Sequence, residues 1–116
     1  MKKVWAWVLS GILMGLTLWG DGRAAGFETD QGKILFNDKC HLCHGKRGDG
    51  NGPAAAAFNP RPANFTDPKF WQNFNDAKIE DTIRKGHGMM PAFDLTSDQI
   101  KAIIDYLEHT FKKEKG

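Results

Sequence analysis

Five consecutive residues, Cys40-His41-Leu42-Cys43-His44, hold the densest chemistry in this chain of 116 residues. Their pattern is C-x-x-C-H, the signature of covalent haem attachment. The spacing has a mechanical reason. Two thiols on one turn reach the two vinyl groups of a single porphyrin and form thioethers. The histidine directly after the second cysteine is then held beneath the iron as an axial ligand. Two other chemistries use part of this pattern. A dithiol redox motif sits beside a strand in a βαβ unit, no alternating run long enough for a strand is present, and His44 would be idle. A structural zinc site needs four ligands, but the chain has only two cysteines, and His87 and His109 lack partners at zinc spacing.

Iron has a second axial position, and Gly86-His87-Gly88-Met89-Met90-Pro91-Ala92-Phe93 offers candidates for it. A methionine thioether stabilises ferrous iron and raises the reduction potential. The residues by themselves leave Met89, Met90 and His87 open. With both axial positions filled, none is free for oxygen, peroxide or substrate, and the iron can only change charge. There is no nucleophile with a paired base and no persuasive pair of carboxylates. The glycines of Gly45 to Gly52 lack the lysine-serine ending of a phosphate-binding loop; they are expected to let the backbone pass close to the haem.

With these motifs in place, the chain resembles a class I c-type cytochrome of the monohaem bacterial kind, over about residues 28 to 113. The resemblance implies a small all-α cytochrome c fold, with three main helices and long loops wrapped around one covalent haem c. In that family a methionine before a proline supplies the sixth ligand, and Met90 occupies that place. The implied cofactor-binding set is therefore Cys40, Cys43, His44 and Met90, with His44 and Met90 on the metal. Met89 is then expected to pack near the haem edge. Gly32, Phe36 and Cys40 match the family's first helix, and Ile103 and Tyr106 match its last. There the glycine lets the two helices cross closely. The family also implies a proline carbonyl soon after the motif as acceptor for the axial histidine, which points to Pro53. Arg61 and Trp71 are candidate donors to the haem propionates.

Three helical stretches must position these groups. The first has Thr29 or Asp30 as cap, places Gly32, Leu35 and Phe36 on one face, and runs into Cys40. The second has Asn75 or Asp76 as cap, Ile79 and Ile83 inward, Lys85 in its last turn and Gly86 as stop. The third opens on a capping box, Thr96 with Gln99. It continues with the stripe Ile100, Ile103, Ile104, Leu107 and Phe111, His109 lies off that stripe, and Lys112, Lys113 and Lys115 suit the negative end of the helix dipole. Phe36, Ile79, Ile83, Phe93, Ile104 and Leu107 are the candidate haem shell. Between the first two helices, Gly45 to Trp71 holds too many glycines and prolines for a regular element, and Pro60 to Trp71 carries no role readable from the residues.

The N-terminus reads as an export signal. Met1-Lys2-Lys3 is basic, Val4 to Trp19 lacks charge, and small residues follow at Ala24 and Ala25. Residues 1–25 are the expected signal peptide, with an uncleaved anchor as the alternative, and residues 26–116 the cytochrome domain. The apolar run is short for a membrane span, which needs about 20 residues. Loss of Lys2, Lys3, Arg23 and Asp21 reduces sixteen basic and fourteen acidic residues to thirteen of each. That balance gives no reason to expect nucleic acid, which calls for a basic patch. Lys39, Lys46, Arg47 and Lys85 flank the motifs as a docking rim or a solvated face.

The resulting expectation is a periplasmic one-electron carrier with His/Met-ligated haem c and redox proteins as partners, and not an enzyme. A haem peroxidase or gas sensor with a labile sixth ligand is one alternative. A membrane-tethered cytochrome subunit of an oxidoreductase complex is the other, and membrane contact is expected only if the N-terminal segment is retained.

Overall fold

The computed structural model describes residues 25–113, and the expected leader up to residue 24 lies outside them. Helix α5, Ser97–Phe111, begins where the capping box placed it. The Thr96 hydroxyl accepts from the Gln99 N–H at 3.2 Å, and the Gln99 side chain accepts from the Thr96 N–H at 3.0 Å. Two of the helix's orphan donors are thus satisfied locally. Its apolar stripe is buried, together with Ala102 and Tyr106.

Helix α1, Ala25–Lys39, crosses α5 and forms the main helix–helix interface. Gly32 is what permits the crossing. A Cβ there would lie 1.9 Å from the Ala102 carbonyl oxygen and 2.7 Å from the Tyr106 Cβ. The close crossing expected at this glycine is therefore present, with Tyr106 beside it. The helix starts before Thr29 and Asp30, so neither is its cap. No proline interrupts the preceding residues, and a capping side chain cannot end a helix that its upstream neighbours extend.

Helix α2, His41–His44, follows after Cys40. After a 3₁₀ turn at Ala55–Ala57 come α3, Pro68–Asn73, and α4, Asp76–Lys85. Asn75 caps α4 by accepting from the Lys78 N–H at 2.9 Å, and Gly86 ends it. Helix α3 is an addition to the three expected helices. Asp67 accepts from the Lys69 N–H at 2.9 Å and Pro68 occupies the first turn, a start signal that suits a helix of any length. Among the described residues there is no strand, only an isolated bridge between His87 and Met90. No helix among them is long and apolar enough to cross a membrane.

The core joins Ile79 and Ile83 of α4 and Leu95 to the inward faces of α1 and α5. Phe36 is its aromatic hub, 5.5 Å from Tyr106, 5.7 Å from Phe111 and 6.3 Å from Phe65 between ring centroids. This is the expected all-α architecture. Phe65 comes from the Pro60–Trp71 segment, which therefore belongs to the core.

Candidate functional site

The C-x-x-C-H motif forms one tight turn at the end of α1. The Cys40 N–H donates to the Phe36 carbonyl at 2.9 Å, and Cys40's own carbonyl accepts from His44 at 2.9 Å. Helix α2 has a single turn, so all four of its carbonyls need partners from outside it. Gly45, Ala54, Gly52 and Gly50 donate in turn to His41, Leu42, Cys43 and His44, over 2.8 to 3.0 Å. The glycine-rich loop is thus folded back onto the motif. A Cβ at Gly52 would fall 2.3 Å from the Leu42 carbonyl oxygen, so the close approach this glycine allows is to the backbone of α2.

Both thiols are half-buried and unbonded to one another. Burial pushes the Cys40 thiol up to about 11, with Lys39 pulling weakly the other way. Catalytic dithiols need a depressed pKa to expose a thiolate. Cys40 has the opposite setting, which disfavours the dithiol-redox alternative.

His44 is oriented from two sides. Its Nδ1 lies 3.1 Å from the Ala63 carbonyl oxygen, and its ring stacks on Phe65 at 4.6 Å and 21°. A carbonyl only accepts, so Nδ1 carries the proton and Nε2 keeps its lone pair. Burial pushes the ring's pKa below the usual histidine value, against the raising effect of the Ala63 bond. The outcome is a neutral imidazole held as an Nε2 donor, with an acceptor behind it of the kind that metal-bound histidines use.

The expected acceptor was Pro53, and the structure corrects this to Ala63. The first loop after the motif is occupied in capping α2, and the next pass of the chain brings a carbonyl to His44. Trp71 is corrected as well. Its indole N–H donates to the Phe65 carbonyl at 2.7 Å, bracing the segment that holds His44. Arg61 is exposed and donates to the Asn51 side chain at 2.9 Å.

The methionine candidates separate by environment. Met90 is half-buried and packs against the core, whereas Met89 is 59% exposed. His87 is also exposed. Its backbone exchanges two hydrogen bonds with Met90, at 3.0 and 2.9 Å, closing the turn that presents the methionine. Of the expected shell, Phe36, Ile79, Ile83, Ile104 and Leu107 are buried and Phe93 partly so. Phe65 and Ala63 were missed; a ring in a proline-bounded loop is an anchor signal, but a backbone carbonyl has no side-chain signature. Three cations of the expected rim have acidic neighbours: Lys39–Asp38 at 3.3 Å, Arg47–Asp49 at 3.6 Å and Lys85–Asp81 at 2.6 Å.

The donor set suits a covalently attached haem: two thiols on one turn, a neutral imidazole of fixed tautomer, and a thioether on a loop packed against an apolar core. Comparison with known proteins points the same way. Residues 27–107 match the family described as cytochrome c oxidase, cbb3-type, subunit III. The cbb3-type cytochrome c oxidase subunit FixP of Bradyrhizobium diazoefficiens is 32% identical over 85 residues. That alignment takes in 71% of this chain and 27% of the relative, so the chain spans well under a third of the relative's length.

Proposed function

The chain belongs to the cbb3-type cytochrome c oxidase subunit III family and is a class I c-type cytochrome with covalently bound haem c; we propose that it carries single electrons in a periplasmic chain, with Cys40 and Cys43 holding the haem and His44 and Met90 as its axial ligands. When bound, the haem supplies a one-electron couple at iron. The residues around it do the rest. Cys40 and Cys43 fix the group to the end of α1. His44 offers the Nε2 lone pair while the Ala63 carbonyl accepts its Nδ1–H, so the ligand needs neither to turn nor to change tautomer when the charge changes. Phe36, Phe65, Ile79, Ile83 and Leu107 exclude water from the interior beside it. Fixed ligands and an apolar shell keep rearrangement small, which suits fast electron transfer.

The observation that carries this reading is the His44–Ala63 hydrogen bond at 3.1 Å. It selects the tautomer an axial ligand requires. Met90→Ala tests the other side. The variant is expected to have a lower potential and to bind carbon monoxide when reduced, as an opened sixth position allows. A variant that keeps the parent's spectrum and potential shows that Met90 is not the ligand.

Periplasmic placement rests on the basic, apolar and small order of residues 1–25. The family and its relative support a second reading, in which this domain serves an oxidase as a subunit, tethered if the apolar N-terminal run is retained. N-terminal sequencing and membrane fractionation separate the two. A mature N-terminus near Ala25 in the soluble fraction supports the free carrier, and a retained Met1 in membranes supports the tethered subunit.

A further inference from the structure

The segment from Gly86 to Thr96, which presents Met90, is fastened to α5 at its far end by the Thr96 cap and along its length by the last turn of α4. The Ile83 carbonyl accepts the Phe93 N–H at 2.8 Å. The next residue, Arg84, reaches three elements at once. Its Nε donates to Glu80 in α4 at 2.9 Å, its Nη1 to the Leu95 carbonyl at 3.2 Å, and its Nη2 to the Ser97 hydroxyl at the start of α5 at 2.8 Å. Glu80 lies one turn back and orients the guanidinium. Lys85 provides the contrast: its ion pair with Asp81, at 2.6 Å, stays within α4.

We propose that Arg84 is a positioning residue for the sixth ligand: it staples the Met90 segment to both helices that bracket it and so sets how often that segment opens to an outside ligand. The inference rests on the reading of Met90 as ligand. Inside the segment, the His87–Met90 pair and a single turn from Leu95 to Phe93 are the backbone bonds present. Its local opening is therefore governed by its anchors, as in other low-stability regions of folded proteins. A planar guanidinium supplies several donors in a rigid fork. A lysine retains the charge but cannot serve Leu95 and Ser97 together with Glu80.

The test uses the oxidised haem-loaded protein with imidazole as the probe, in excess, so that the rate of losing the far-red sulfur-to-iron band reports opening of the segment. Arg84→Gln and Arg84→Lys are each expected to raise that rate about tenfold, the scale of one or two lost charge-assisted hydrogen bonds at a partly exposed site. Ser97→Ala is expected to raise it less. Lys85→Gln controls for loss of an ion pair in the same helix, and Phe111→Leu for a general loss of stability in the α1–α5 core. Both are expected to open at the parent rate. An unchanged rate in both Arg84 variants overturns the proposal, as does equal acceleration in either control. A parent protein without the far-red band, or a Met90→Ala variant that keeps it, overturns the Met90 reading instead and removes the basis of the proposal.

Discussion

Replacing Phe65 with alanine should cost more than any single substitution outside the haem attachment residues and the helix crossing. The ring is 6% exposed. It stacks on His44 at 4.6 Å, meets Phe70 edge-on at 5.0 Å, and lies 6.2 Å from Phe111 between centroids. Its backbone is bound at both ends, by Gly48 at 2.7 Å and by Trp71 at 2.7 Å. Those bonds keep the segment in place when the ring is removed, so the cavity cannot readily collapse. A buried Phe→Ala change of that kind costs about 3–5 kcal/mol. In a domain of roughly ninety residues each kcal/mol moves the melting temperature by about 4–8 °C. Phe74→Ala is the comparison. That ring is 38% exposed and stacks on Phe70 at 4.7 Å, so about 1 kcal/mol is expected for the lost pair. Urea unfolding of the haem-loaded proteins, read by midpoint with the slope unchanged, measures both. A Phe65→Ala loss within about 1 kcal/mol of the Phe74→Ala loss, on the scale of an exposed ring pair, refutes the argument that Phe65 braces His44 from the core.

Further outcomes follow from the same geometry. Gly32→Ala should destabilise the protein by about 2–3 kcal/mol through overpacking, because the added Cβ would sit 1.9 Å from the Ala102 oxygen; a thermal melt that does not move shows that α1 can slide off α5 at no cost. Thr96→Ala removes the acceptor for Gln99 and should cost about 1 kcal/mol in denaturant unfolding, with no change in the visible spectrum. Cys40→Ala or Cys43→Ala should each reduce haem that survives denaturing electrophoresis, and a normal yield of doubly attached haem in either variant contradicts the assignment of the thiols.

What could be read from the residues was local. Thr96 with Gln99, Asn75 and Gly86 at their own ends of α4, and the two cysteines with His44 each act within one or two turns, so their local structure is specified by spacing alone. Gly32 was legible only through the family resemblance, since its reason is a carbonyl about seventy residues away on α5. The Ala63 carbonyl was not legible. Any residue can supply a backbone acceptor, and which pass of the chain reaches His44 depends on how the glycine-rich loop first caps α2. Phe65 and Trp71 were hidden for a related reason: their segment has no periodicity, and its value lies in bridging the motif to the core. Thr29 and Asp30 show the converse. Capping side chains mark a helix start only where the residues before them fail to continue the helix.

An optical spectrum of the purified protein, oxidised and then reduced, with carbon monoxide added last, tests most directly whether His44 and Met90 fill both axial positions. A sharp reduced c-type spectrum, a weak far-red sulfur-to-iron band in the oxidised form, and no response to carbon monoxide are expected. A reduced spectrum that shifts when carbon monoxide is added contradicts that ligation, because an accessible sixth position belongs to a peroxidase or a gas sensor rather than to an electron carrier.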